Sequence, residues 1–372
     1  MRVDSLIPRN SEIFSSEIVP IPINKALKIL SLFFILWLGN FGLEIYYKSI
    51  EPDHPRKIQY VQNLLVEDPE LGFIWKENLQ MVIKPEDHWM DIAQEGITEE
   101  IFHTDPNGFS NHPQAIESVQ HHPQHILGIG DSFVQNASHF LYDYFRKEDL
   151  NFYSLSVHRY GPQQYNDVIK RHALAMKPEL IVYVLGESDF EESVKFENWR
   201  QSGIPWFEFH SGLWSGDPET NYNRISPLRR VMKKHLNGFD QFLQGYLKLT
   251  GWSANKSPYE LDWKQNESGY NLVLHSINAA HRLCSKSGIR FMVMLIPGKN
   301  YILDEKPDFS YVPEYYSRLS NYLNSMGIPV IDLRQSLRKY NPLKDLYWKS
   351  DNHLSFTGME FMAREIKAVY QQ

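Results

Sequence analysis

Cysteine is almost absent from this chain of 372 residues: Cys284 stands alone. One thiol excludes any internal disulfide, and on an expected helix its ordinary place is a buried core. An excess of positive charge is missing too. Lys and Arg number 38 against 45 Asp and Glu, a net charge of −7, and no basic stripe appears, which argues against a nucleic-acid partner. Metal-ligand spacing is also lacking. His88, His103, His112, His121, His122 and His125 crowd one region, but no H-x3-H helix and no mixed Cys/His pattern accompanies them. Neither a metal nor another cofactor is therefore expected.

Long apolar runs are scarce, with one exception. Residues 1–23 are polar and carry Pro8, Pro20 and Pro22, as a short tail would. From Ile29 to Gly39 no charge interrupts the chain, and with its flanks the stretch 24–47 approaches the roughly 20 residues that cross a bilayer. Lys28 suits one boundary and Trp37, Tyr46 and Tyr47 have interface character. A signal peptide is the competing reading, but no small-x-small cleavage site follows, so the expectation is a single N-terminal membrane anchor. Arg2, Arg9, Lys25 and Lys28 ahead of it set the rest of the chain outside the cytoplasm, periplasmic or extracellular.

What the chain does have is a run of alternating elements from residue 123 onward, after a linking or lead-in region at 48–122. Strands are expected at 125–129, 151–155, 179–185, 290–296 and 328–332. Helices are expected near 133–147, 162–176, 268–287, 312–326 and 357–370. Such alternation predicts a three-layer α/β sandwich with a flavodoxin-like central parallel sheet, whose ligand crevice lies beyond the carboxyl ends of the strands.

At the first of those ends stands His125-Ile126-Leu127-Gly128-Ile129-Gly130-Asp131-Ser132-Phe133. A buried strand, a glycine turn and a serine opening a helix place a hydroxyl where unpaired backbone N–H groups create positive potential. That seat suits an attacking oxygen whose intermediate is anionic, although an N-capping role for a lone serine is the plainer reading. Near the other end of the chain, Asp351 and His353 are two residues apart, so on an extended loop both side chains leave the same face. A carboxylate so placed holds an imidazole in one tautomer while the second ring nitrogen faces a hydroxyl. Thr357 and Glu360 read as a capping box that starts the last helix.

These segments resemble the SGNH (GDSL-type) hydrolase superfamily from about His122 to the C-terminus, in the form of its membrane-anchored bacterial members. Gly130-Asp131-Ser132 is similar to the nucleophile block. Val157-His158-Arg159-Tyr160-Gly161 resembles the second block, Leu185-Gly186-Glu187-Ser188-Asp189 the third, and Asp351-Asn352-His353 the fifth, with one residue between Asp and His where many members have two. The resemblance implies Ser132 as nucleophile, His353 as general base and acid, and Asp351 as its orienter. It implies an oxyanion hole from Ser132, Arg159, Gly161 and Ser188, with Ser188 where the family has Asn and Arg159 where it has a donor glycine. The implied activity is that of an esterase or O-acyltransferase on O-acyl, chiefly O-acetyl, esters of an envelope or extracellular polysaccharide. The altered second and third blocks keep an alternative open: a degenerate member that binds glycan or scaffolds a biosynthetic complex.

The interval 191–263 is too long for a plain sheet-and-helix repeat and is rich in aromatics, among them Trp199, Trp206, Trp214, Tyr222, Tyr246, Trp252 and Tyr259. It reads equally as a substrate platform or as packing against the main domain. Leu295-Ile296-Pro297-Gly298-Lys299-Asn300 ends a strand and reads as a plain turn.

Overall fold

A computed structural model of the chain describes residues 64–84, 92–119, 125–209, 263–303, 311–349 and 351–372. All of them fall within one unit, Asp53–Arg224 together with Asn255–Gln372.

Two short hairpins come first. Strand β1 (Leu65–Asp68) pairs antiparallel with β2 (Gly72–Trp75), and β3 (Gln80–Ile83) pairs with β4 (Glu100–His103). The first turn closes because the Asp68 carboxylate accepts the N–H groups of Glu70 and Leu71. A short helix α1 (Pro113–Ser118) follows.

The alternating part then begins. Its elements are β5 (Ile126–Ile129), α2 (Ser132–Arg146), β6 (Phe152–Ser154), α3 (Pro162–Val168, continued by a π-helical turn Ile169–Ala173 and a last α-turn Leu174–Met176), β7 (Leu180–Leu185) and α4 (Asp189–Ser202). After the short α5 (Trp206–Phe209) come α6 (Trp263–Lys286), β8 (Arg290–Leu295), α7 (Lys299–Ile302), α8 (Val312–Ser325), β9 (Val330–Asp332), α9 (Leu333–Leu337) and α10 (Phe356–Tyr370). The five strands are parallel in the order β6-β5-β7-β8-β9. This is the flavodoxin-like order, and its reversal point lies between β5 and β7.

The sheet is covered on both faces, which is why its inner strands are apolar throughout. All six residues of β7 are buried. Ile181, Tyr183 and Leu185 point to one core with Val168, Val273, Ile277, Leu319 and Leu323. Leu180, Val182 and Val184 point to the other with Val134, Leu141, Leu333, Met362 and Ile366. The period of two along the strand thus assigns α3, α6 and α8 to one layer and α2, α9 and α10 to the other. Each buried aliphatic side chain contributes roughly 1.5–3 kcal/mol. Cys284 lies in the first core with its thiol pushed up to about 12 by burial.

The lead-in packs into the same core: Leu65, Leu71, Phe73, Trp75, Phe102 and Phe109 share it with Leu127 and Ile181. It also finishes the sheet. Strand β6 is an edge, and Asn111 covers that edge by donating to the Ser154 carbonyl (2.8 Å) and accepting the Ser154 N–H (2.8 Å). Asp105, buried, accepts the Tyr153 hydroxyl at 2.6 Å.

The expected membrane anchor requires correction. Among the described residues no helix is long and apolar enough to cross a membrane. The run at 24–47 lies outside the described residues, so nothing in the fold sustains a single-pass membrane protein, a membrane partner or an extracytoplasmic placement.

Candidate active site

The tip of β5 and the head of α2 form one wall. Asp131 is the N-cap of α2, its carboxylate accepting the Phe133 N–H at 3.0 Å, and Ser132 is the first helical residue. Gly130 is required here by close approach rather than by a bend: a Cβ would lie 2.8 Å from a Val134 methyl and 3.3 Å from the Val184 carbonyl. Asp131 is buried, and burial lifts its pKa to about 6, against the pull of its hydrogen bond and of His353.

The opposite wall is the loop before α10. Tyr347 and Leu354 form an antiparallel bridge and the Trp348 N–H donates to the His353 carbonyl at 3.0 Å, so the two arms of the turn are held side by side. Its exit is capped by Ser355, whose hydroxyl accepts the Gly358 N–H at 3.4 Å, which moves the cap two residues ahead of the expected Thr357. Within the turn, Asp351 accepts the His353 backbone N–H at 2.7 Å and the same carboxylate oxygen contacts His353 Nδ1. His353 Nε2 stands 2.7 Å from Ser132 Oγ, across 221 positions of sequence. Burial alone would raise the Asp351 pKa, but the hydrogen bonds from His353 and the nearby charges of His353 and Lys299 hold it below the ordinary carboxylate value. The Phe133 ring packs against the imidazole with 5.0 Å between centroids. The structure therefore brings Ser132, His353 and Asp351 into one hydrogen-bonded line.

The second block treats its two expected donors differently. Arg159 has φ of +60°, the left-handed conformation that glycine adopts without strain, so the loop keeps a glycine-like path with an arginine in it. Gly161 is corrected: its N–H donates to the Gln164 side chain at 2.8 Å as part of the cap of α3, so it is not a free donor for an oxyanion. Between them and the strand, His158 is half-buried and its pKa falls to about 3, chiefly from desolvation and further from the charges of Arg159 and His353. Its backbone N–H and the Trp75 indole both donate to Gln135 Oε1, at 2.9 and 3.0 Å, tying the lead-in to the helix that carries Ser132.

In the third block, Ser188 occupies the head of α4 and makes no capping hydrogen bond. Its neighbour Asp189 is fully buried, accepting the Gly186 N–H at 2.6 Å and the Tyr165 hydroxyl at 2.7 Å. Burial first, and then the charge of Asp131, raise the Asp189 pKa well above the ordinary value. Glu187, also buried, accepts the Gly298 N–H at 2.7 Å.

The turn at 297–300 is more than a plain turn. Lys299 Nζ donates to the carbonyls of Trp348 and Lys349, each at 2.8 Å, and lies 3.5 Å from that of Asp351. Nothing in its local sequence signals this, because the partners lie about fifty positions away.

Of the aromatic interval, Trp199 and Trp206 are buried against each other edge-on at 5.1 Å, which is packing rather than a platform. Trp214, Tyr222, Tyr246, Trp252 and Tyr259 lie outside the described residues, as do His88, His121 and His122. Among the described residues no three His, Cys, Asp or Glu side chains are grouped to hold a metal ion.

A family model described as "SGNH hydrolase-like domain, acetyltransferase AlgX" matches residues 260–372, the part that carries Asp351 and His353. The chain is an ester hydrolase or acyltransferase. Its sheet, helices and serine–histidine contact are those of an SGNH-like α/β fold. No curated protein matches the sequence. Solved structures that are similar include a GDSL-like lipase from Bacteroides thetaiotaomicron, at 10% identity over 67% of this chain and 88% of that one, with a TM-score of 0.40. An acetyl xylan esterase is 14% identical over 66% of this chain and 98% of its own, TM-score 0.38. A lipase/acylhydrolase from Enterococcus faecalis is 14% identical over 66% and 96%, TM-score 0.35.

Proposed function

We propose that the protein is a serine O-acyl esterase or O-acyltransferase acting on acetyl esters of a carbohydrate, with Ser132 as nucleophile. The observation that carries this reading is the 2.7 Å contact between His353 Nε2 and Ser132 Oγ, with Asp351 behind the imidazole. Asp351 accepts from Nδ1, which leaves Nε2 as the acceptor for the serine proton. As that proton moves to Nε2, Ser132 Oγ bonds to the carbonyl carbon and a tetrahedral oxyanion forms. Nε2 then returns the proton to the departing alkoxide, the ester C–O bond breaks, and an acyl-serine remains. A water or a sugar hydroxyl, deprotonated by the same imidazole, attacks next and releases Ser132.

The oxyanion is met by the N–H of Ser132 at the head of α2, by the main-chain N–H of Arg159 and by the Ser188 hydroxyl. Helix geometry supports the first, since N–H groups of the opening turn have no carbonyl partner. The left-handed φ of Arg159 supports the second, because it preserves the path of a donor glycine. The hydroxyl of Ser188 is shorter than an amide arm, so a slow enzyme is expected.

Support for an acetyl group comes from the family model, whose description names an acetyltransferase; the carbohydrate follows from the resemblance of the sequence blocks. A degenerate glycan binder has no use for an imidazole aligned on a helix-tip hydroxyl. The test is release of acetate from a chromogenic acetyl ester and from an acetylated oligosaccharide, each with and without an unacetylated sugar acceptor. Equal turnover by the wild type and Ser132→Ala rejects the reading. Acceptor-dependent formation of an acetylated sugar selects transferase over hydrolase.

A further inference from the structure

We propose that Lys299 is a positioning residue of the site: its ammonium gathers the carbonyls of the 348–351 turn and so fixes the loop from which His353 reaches Ser132. The inference rests on the reading of Ser132 as nucleophile and adds to it a residue outside the recognised blocks.

A turn that directs several carbonyl oxygens to one side concentrates partial negative charge there. The carbonyls of Trp348, Lys349 and Asp351 all face Lys299 Nζ, at 2.8, 2.8 and 3.5 Å. An ammonium has three N–H donors and no acceptor, so these oxygens use its whole donor set. A neutral side chain would leave the oxygens crowded without a counter-charge. The same charge lies beside the Asp351 carboxylate and favours its ionised form. Ionised Asp351 is the form that orients the imidazole and stabilises it when it takes the serine proton.

The anchor on the other side is equally specific. Lys299 opens α7, and the residue before it, Gly298, donates its N–H to the buried carboxylate of Glu187 at 2.7 Å. A Cβ at Gly298 would stand 2.5 Å from Glu187 Oε2, so a larger residue there would push the carboxylate off this contact. Glu187 directly precedes Ser188 beyond the end of β7. The ends of β7 and β8 and the Asp351–His353 loop are thus linked in one chain of contacts, Glu187 to Gly298 to Lys299 to the turn. The loop is reached from the rigid sheet edge rather than from its own flanks.

The experiment follows kcat, KM and the pH profile of kcat/KM for a chromogenic acetyl ester with the wild type, Lys299→Met, Lys299→Gln, Lys299→Arg and Ser132→Ala. Lys299→Met is expected to lose roughly tenfold to a hundredfold in kcat, the scale of a small misplacement of reacting groups. Its KM should change little. Without the nearby positive charge the Asp351 carboxyl takes up a proton more readily, so the acid limb should move to higher pH. Lys299→Arg should recover most of the rate and return the limb. Lys299→Gln keeps a donor without the charge and should retain part of the rate with the limb still displaced; it stands in if the Met variant does not fold. A wild-type rate and profile in Lys299→Met, while Ser132→Ala is inactive, overturns the role of Lys299 alone. Equal losses in Met, Gln and Arg with an unmoved acid limb reduce it to packing and also overturn it. Full turnover by Ser132→Ala overturns the nucleophile reading and this inference with it.

Discussion

At the head of α2 the carboxylate of Asp131 is walled in, and burial lifts its pKa to about 6. On the 348–353 turn Asp351 is half-buried, yet its hydrogen bonds to His353 and the charge of Lys299 hold its carboxyl below the ordinary value. Both residues are aspartates and both flank Ser132–His353, one on each wall. The difference comes from what each carboxylate is offered. Asp131 receives one backbone N–H, whereas Asp351 receives a backbone N–H, an imidazole and a neighbouring ammonium. When two carboxyl groups near one site are pushed apart in this way, their roles separate too. Asp351 is the charged orienter; Asp131 is a cap that shapes the helix tip and tolerates a proton.

Four substitutions test the two walls. The largest effect is expected for Ser132→Ala, which should lower kcat on an acetyl ester by on the order of a millionfold, the scale of nucleophile loss in a serine triad. Residual turnover near wild type would remove the walls' common purpose. Next, Asp351→Asn should cost on the order of 10⁴-fold in kcat with KM little changed, because the amide favours the wrong tautomer. A loss of only a few-fold would mean that the two aspartates are not functionally distinct.

Third is Asp131→Asn, read as stability rather than rate. A carboxyl whose folded pKa is raised makes the folded state bind more protons between pH 4 and pH 6, so its contribution to stability declines as pH rises through that window. The Asn variant lacks that loss. It should match the wild type near pH 4 and exceed it by up to about 3 kcal/mol above pH 6 in urea unfolding, at roughly 1.4 kcal/mol per unit. A difference independent of pH would show that Asp131 is not the strained acid. Smallest is Arg159→Gly, which should leave kcat within about threefold and stability within about 1 kcal/mol, since glycine adopts φ of +60° freely and keeps the N–H. A loss approaching 10²-fold would transfer the oxyanion contact from the backbone to the guanidinium.

The strands were legible because a sheet covered on both faces needs unbroken apolar runs. Strand β7 was expected at 179–185 and found at Leu180–Leu185, and β8 was expected at 290–296 and found at Arg290–Leu295. The serine at a strand-to-helix turn and the D-x-H loop were legible for a similar reason, since each is a local pattern. What the sequence concealed depends on distant partners. Nothing near Gln135 shows that it accepts from Trp75, 60 positions earlier, and nothing near Gly298 points to Glu187, 111 positions earlier. The free donor expected at Gly161 was lost to a local competitor, the Gln164 side chain three residues on. The anchor was read from the apolar run over 24–47 with its boundary residues Lys28, Trp37, Tyr46 and Tyr47, and no described helix is long and apolar enough to cross a membrane.

The most direct test of the account is whether Ser132 is an activated hydroxyl. The protein should be treated with a serine-directed fluorophosphonate, digested and mapped by mass. The account predicts a single adduct on the peptide containing Ser132, formed by the wild type and absent from His353→Ala. A wild type that takes no label, or one labelled equally without His353, contradicts it.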